Sequence, residues 1–269
     1  MTSSSNQPAN RKTRRAQLRA DQRKQNVKSS FSLLASSSVL AGGFVGFQGS
    51  SALAAGCDSP GVGESTVVLT PDVNGEDSSG WYDLEYAVNM AGDGDTIFLC
   101  TTGDVTIPTD GSDIAINQSL SIVNGSNFDV LFDSSNAPSN FYIYTAGKGG
   151  AIDVTFQGLE FHEFYDNGAI YANFNNEDSN LRIEDSRFLN NFGSAIRVDG
   201  NDSGNLFVTD SEFLENGSIG DGGAIQADDI NTASVSGSNF ERNESYEYSG
   251  GAIWMGDDSG QDATLTVHD

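Results

Sequence analysis

The sequence predicts an all-β fold, a right-handed parallel β-helix opened by a short capping helix, and three observations predict it. Four segments repeat one another: Phe161, Phe188, Phe213 and Phe240 stand 27, 25 and 27 residues apart, and Ile170, Ile196, Ile225 and Ile253 stand 26, 29 and 28 apart. Self-similarity at this period marks a stacked architecture in which each copy buries its apolar face against the next. Within a copy the apolar residues alternate at period two, as in Leu181/Ile183 and Leu206/Val208, the pattern of a strand with one buried face. The runs are short and joined by Gly, Asn, Asp and Ser, so each copy supplies brief strands and tight turns, one coil of a solenoid.

Residues 1–54 read as a secretory signal. Eight bases between Arg11 and Lys28 precede the apolar run Phe31–Phe47, and Ala52-Leu53-Ala54 forms an Ala-x-Ala site that places cleavage between Ala54 and Ala55. Thr13–Arg19 loosely resembles a twin-arginine signal, though far upstream of the apolar run, so both that route and general secretion stay open. Residues 55–80 form a Gly-, Ser- and Asp-rich linker with one strand-like run at Thr66–Thr70. Residues 81–92 form the capping helix, with Trp81, Leu84, Ala87, Val88 and Ala91 on one face and Gly92 as its stop. The β-helix occupies 93–269, starting from the strand signal Gly94–Leu99; the helix before it covers apolar interior and strand edges that the first coil otherwise exposes.

Charge narrows the function. The chain holds 38 acidic and 13 basic side chains, for a formal net charge of −25, but the imbalance is segregated. Eight of the bases and one acid lie in residues 1–54; beyond them 37 acids face five bases, Lys148, Arg182, Arg187, Arg197 and Arg242. A surface this acidic repels phosphate backbones and anionic lipid, which excludes a nucleic-acid partner and disfavours membrane attachment through the exported part. No direct membrane insertion of that part is expected.

Export gives Cys57 and Cys100, the two cysteines of the chain, a default role as a disulfide. The alternative comes from Leu53-Ala54-Ala55-Gly56-Cys57, which loosely resembles a lipobox with Ala54 where a larger aliphatic residue is usual; lipidation of Cys57 leaves Cys100 a free thiol.

Stacking at ~4.8 Å per coil turns equivalent residues into columns. Phe161, Phe188, Phe213 and Phe240 make an aromatic column, Ile170, Ile196, Ile225 and Ile253 an aliphatic one, and Asn191, Asn216 and Asn243 an amide ladder at a turn. Ser119–Val123 and Asn140–Tyr144 read as degenerate strands of earlier coils. Gly149-Gly150-Ala151-Ile152 imitates the repeat tetrad but precedes Phe161 by too few residues to be in phase.

Phe213-Leu-Glu-Asn216 followed by Gly222-Gly-Ala-Ile225, and Phe240-Glu-Arg-Asn243 followed by Gly250-Gly-Ala-Ile253, resemble the repeat of the polymorphic outer-membrane proteins best known from chlamydiae, autotransporter-type surface adhesins. Phe188–Asn191 with Gly193-Ser-Ala-Ile196 departs by one residue, and Phe161-His-Glu-Phe164 with Asn167-Gly-Ala-Ile170 lacks the Asn. The resemblance covers about 115 residues and implies a β-helix displayed at the cell surface or secreted, outer-membrane or cell-wall associated. Its repeats are scaffold, so it implies less about function.

Little points to catalysis. Acids are too abundant for a carboxylate pair to discriminate a glycosidase. His162 and His268 are isolated, and Arg197, beside Asp199, is the one base placed to line a groove; Arg182, Arg187 and Arg242 fall at outward or turn positions. Three or four residues past each column Ile stand Asn173, Asp199, Asp228 and Asp257, with Asp202, Asp229 and Asp258 near them. Carboxylates one strand apart repel unless screened, and in an extracellular setting Ca²⁺ is the natural counter-ion; the alternative is a hydrated acidic ridge.

The expectation is an exported β-helix passenger, an adhesin-like module that binds a surface ligand, glycan or protein, and needs no cofactor beyond a possible structural Ca²⁺. A polysaccharide lyase or glycoside hydrolase, and a structural surface-layer component, are the alternatives. An open coil after Val267 predicts that the sequence is a piece of a longer chain. N-terminal sequencing and mass spectrometry of the exported protein should find Ala55 first, with no diacylglyceryl adduct on Cys57; an adduct overturns the disulfide reading.

Overall fold

Parallel strands stacked coil on coil and covered at one end by a helix make up the structure, a computed structural model describing Cys57 and residues 63–268 apart from 136–138, 146–149, 166, 176–177, 201–202 and 257–262. The signal reading of 1–54, the cleavage site at Ala54 and Ala55, and Asp257 therefore lie outside the described residues.

The chain enters through β1 (Glu64–Val68) and helix α1 (Gly80–Met90), then winds in coils of three principal strands. The first coil is β2 (Asp95–Cys100), β3 (Val105–Pro108) and β4 (Ile114–Ile116). β5 (Leu120–Asn124), β6 (Val130–Asp133) and β7 (Phe141–Tyr144) form the second. The third has β8 (Asp153–Gln157), β9 (Glu160–His162) and β10 (Ile170–Asn173), and the fourth β11 (Asn180–Glu184), β12 (Arg187–Leu189) and β13 (Ile196–Asp199). In the fifth, β14 (Asn205–Thr209), β15 (Glu212–Leu214) and β17 (Ile225–Asp228) are joined by a minor strand β16 (Gly217–Ser218). In the sixth, β18 (Thr232–Ser236), β19 (Asn239–Glu241) and β21 (Ile253–Gly256) are joined by β20 (Glu244–Ser245), and β22 (Thr264–His268) follows. Stacked right-handedly, these make an eight-stranded first sheet (β1-β2-β5-β8-β11-β14-β18-β22) and two six-stranded sheets, the second from β3 to β19 and the third from β4 to β21. The chain is a parallel β-helix.

The repeat columns run down its interior. Phe161, Phe188, Phe213 and Phe240 are register partners, with ring centroids 4.7, 4.9 and 4.7 Å apart and planes within 9°. Ile107 and Phe132 continue this column into the first two coils. Ile170, Ile196, Ile225 and Ile253 likewise pair in succession, and Phe141 and Ile114 extend them backwards. Ile152, from the out-of-phase tetrad, is buried just ahead of β8, outside this column.

In the third to sixth coils, two of the corners are each made by one residue in the left-handed region. Gly158, Asp185, Asp210 and Gly237 stack at the first, with φ of 71, 48, 50 and 57°, and Glu163, Asn190, Glu215 and Arg242 at the second, with φ of 54 to 55°. Behind each corner a side-chain ladder satisfies the backbone left unpaired by the bend. At the first, Ser186 and Ser211 N–H groups donate to the Oγ of Ser211 and Ser238 at 3.2 and 3.1 Å. At the second, the N–H groups of Phe164, Asn191 and Asn216 donate to Oδ1 of Asn191, Asn216 and Asn243 at 3.1, 3.1 and 3.0 Å. Each amide nitrogen in turn donates to the carbonyl of Phe161, Phe188 or Phe213. Phe164 occupies the Asn position of its coil and, fully buried, packs on Phe161 instead. The connection from the second to the third sheet is tolerant of length: it spans 190–195 in the fourth coil and 242–252 in the sixth.

α1 closes the first coil. Trp81, Leu84 and Val88 are buried, and Trp81 meets Phe132 and Phe141 edge-on at 6.0 and 5.1 Å. The helix ends at Met90, two residues before the expected stop, because Ala91 is already extended and Gln118 Nε2 donates to the last carbonyls, those of Val88 and Ala91. Cys57 and Cys100 are joined, with sulfurs 2.02 Å and Cα atoms 5.7 Å apart, tying the segment before β1 to the end of β2.

Phe213 is fully buried and Phe240 only partly. Phe213→Ala should lower unfolding free energy by ~3–5 kcal/mol and Phe240→Ala by clearly less, as read by urea denaturation. Equal, near-neutral effects contradict the column.

Candidate functional site

With the interior committed to packing, function falls to the outward residues of the three sheets, and these differ in character. On the first sheet Asp153, Asn180 and Asn205 hydrogen-bond along the column, and Arg182 lies over Phe207 at 4.4 Å. On the second, Arg187 sits between two glutamates on the neighbouring strands, 2.5 Å from Glu160 and 2.8 Å from Glu212. Burial holds the Glu160 carboxyl above its usual range; Arg187 opposes that rise, and Asp129 and Glu212 add to it. Arg242, at the second corner, contacts Glu215 and Glu241. These three arginines are engaged locally.

The third sheet is different. Its residues after each column position face outward, and the register makes them one row: Tyr142, Tyr171, Arg197, Gln226 and Trp254. A parallel row holds Tyr144, Asn173, Asp199, Asp228 and Gly256. The Tyr142 ring stacks on Tyr144 and on Tyr171, each 5.3 Å away, and the Arg197 guanidinium lies 5.3 Å from the Tyr171 centroid. Tyr171 donates its hydroxyl to Asp199 Oδ2 at 2.7 Å; burial and that acceptor push its pKa up, so it stays a neutral donor. Arg197 donates to both Asp199 oxygens at 3.3 Å. At the far end the Trp254 indole lies across Gly256, where any Cβ would collide with the ring. The glycine lets a large, half-buried ring lie flat on the sheet.

Around the Asn173–Asp199–Asp228 row and the turns that follow it, the face dips into a cleft of about 290 Å³ lined by Asn173, Asn175, Arg197, Asp199, Gly200, Asp228 and Asp229. A larger groove of about 400 Å³ lies between β1 and α1, where Val68, Tyr86 and Met90 are exposed, but its wall is mainly apolar and brings no chemistry together. The cleft, where amide, carboxylate and guanidinium groups converge and Tyr171 contacts two of the lining residues, is the better candidate.

The structure brings two of the three acids proposed for Ca²⁺ together: Asp199 and Asp228 are register partners at the cleft. The next position in that row is Gly256, one residue before Asp257, because the acidic run of the sixth coil begins one residue further on. Among the described residues no group of three or more His, Cys, Asp or Glu side chains gathers with the geometry of a metal site. The aromatic residues, which sequence reasoning missed, carried a signal: each directly follows a column residue, as in Phe141-Tyr142, Ile170-Tyr171 and Ile253-Trp254. No family model, curated protein or solved structure matches the chain.

Arg187→Ala should destabilise the fold, by an amount between the ~1 kcal/mol of an exposed ion pair and the ~3–5 kcal/mol of a buried one. The folded-state pKa of Glu160 is raised, so its stabilising contribution is present at low pH and lost as pH rises through that value. Removing the guanidinium raises it further, and the gap between variant and wild type should narrow from about pH 7 to about pH 4 in matched urea melts. A gap that widens on acidification contradicts this.

Proposed function

We propose that the protein is an exported, surface-displayed or secreted β-helix module that holds a glycan along the outer face of its third sheet. The observation that carries this reading is the row Tyr142–Tyr171–Arg197–Gln226–Trp254, in which flat rings at both ends flank hydrogen-bonding groups, next to the cleft at Asp199 and Asp228. Sugar rings offer apolar C–H faces that stack on aromatic side chains and hydroxyl edges that pair with amides and carboxylates, so they match such a row on both counts. Five adjacent strands separate four steps of ~4.8 Å each, a straight platform suited to an extended oligosaccharide. Protein ligands generally need a larger desolvated centre than this half-polar strip offers. In this reading the repeats are a ruler and the adhesin-like activity lies in the side chains mounted on it.

One observation favours a second reading. Asp199 and Asp228 occupy neighbouring strands, about 4.8 Å apart in backbone, near the ~5–5.5 Å carboxylate separation of retaining glycoside hydrolases. Against it, Asp199 is occupied by Arg197 and Tyr171, which leaves it a poor nucleophile.

Trp81 is buried and Trp254 half-exposed, so intrinsic fluorescence reports on this face. Titration with an oligosaccharide panel should shift the emission, and Tyr171→Ala or Tyr142→Ala should weaken binding by about tenfold, or ~1.4 kcal/mol, with little change in melting temperature. Steady release of reducing or unsaturated ends replaces the binding reading with the enzymatic one; no response to any glycan removes both.

A further inference from the structure

We infer that the glycan taken by the third-sheet face is cationic, an oligomer of amino sugars with unacetylated, protonated amines. The inference rests on the glycan reading above and narrows it to a substrate class.

Charge in the cleft comes first. Its lining sets three carboxylates, Asp199, Asp228 and Asp229, against one guanidinium, Arg197. That guanidinium is spent within the protein: it reaches both oxygens of Asp199 and lies on the Tyr171 ring. A uronic-acid sugar would have to break this pair and then face two further carboxylates at short range, where like charges repel strongly. The other described arginines bring no relief, because Arg182 covers Phe207 on the first sheet, Arg187 lies between Glu160 and Glu212 on the second, and Arg242 contacts Glu215 and Glu241 at the corner.

The rings point the same way. An ammonium group is attracted to the face of Tyr or Trp, and Arg197 over Tyr171 is such a contact already made within the row. Tyr142 and Tyr144 on one side of the cleft and Trp254 on the other extend these π-faces beyond the carboxylates. A sugar that stacks its C–H face on a ring while directing an amine at Asp228 satisfies both features at once; a neutral sugar uses only the first.

At larger scale, 37 acids against five bases beyond residue 54 concentrate cations at the surface and speed encounter with a polycationic chain, in a way that salt suppresses. That field alone would draw any polycation. The rings and the cleft are what distinguish a sugar.

The test titrates the full exported chain with a glucosamine hexamer, its fully N-acetylated counterpart, a hexagalacturonate and hexalysine, in mildly acidic buffer, following Trp254 emission and heat. The glucosamine hexamer should bind at least tenfold tighter than the acetylated form, with hexagalacturonate weakest. Asp228→Asn, checked for unchanged melting temperature, should shrink that preference by weakening the glucosamine hexamer more than the acetylated oligomer; an equal loss for both overturns the inference. Equal affinity for the two glucosamine forms, or tighter binding of hexagalacturonate, overturns the inference and leaves the glycan reading standing. Hexalysine matching the glucosamine hexamer in affinity and in its effect on Trp254 overturns it too, reducing the attraction to the general field. Failure of all three glycans overturns the glycan reading itself.

Discussion

The structure depends on a directional interaction, the buried amide ladder at the second corner. A corner made by one left-handed residue leaves a backbone N–H pointing away from every strand, and inside a core that group must be met. Asn191, Asn216 and Asn243 each accept an N–H from the coil before and donate to a carbonyl of that same preceding coil, so each amide is used at both ends. Stacked phenylalanines are energetically large, yet a flat ring column is forgiving of small slides. The amide is not, because a shift of one residue removes both acceptor and donor and turns every outward side chain inward. Register is therefore enforced at the corner and inherited by the sheets.

That dependence explains what was legible beforehand. Phe, Asn and Ile recur where the ladder demands the same chemistry in successive coils, which made coils three to six readable from spacing alone. The first two coils fill the same columns with Ile107, Phe132, Ile114 and Phe141 and lack the corner Asn, so only isolated strand-like runs could be recognised there. The serine ladder at the first corner was equally regular, at Ser186, Ser211 and Ser238, but serine is common among turn residues and did not stand out. The candidate site was the least legible part. Outward positions answer to no packing rule, so Tyr142, Tyr171, Arg197, Gln226 and Trp254 repeat no single residue type down the row, and register is what shows them to be neighbours. The acidic row was half visible: its Asp199 and Asp228 pair is real, while the sixth coil places Gly256 where an acid was expected.

The substitution of glycine for an acid at that point matters to the site. An Asp there would prop the indole of Trp254 away from the sheet; the glycine lets it lie down beside Asp228 and convert the end of a charged row into an apolar platform. Packing thus has opposite consequences on the two sides of the same sheet. Inward, repetition is rewarded because identical side chains stack; outward, variety is permitted, and a sequence of unlike groups becomes a linear pattern that a polymer can match step by step.

The uneven connection between the second and third sheets has a consequence for how such a molecule can change. Residues 190–195 and 242–252 bridge the same two columns, so chain has been added or removed there without disturbing the ladder on one side or the aliphatic column on the other. Lengthening a loop costs entropy only logarithmically, roughly 0.6 kcal/mol for each doubling. This edge is thus a port for insertion: mutation can rewrite it, and an engineer can graft a foreign peptide into it, while heredity of the fold is left to the corners.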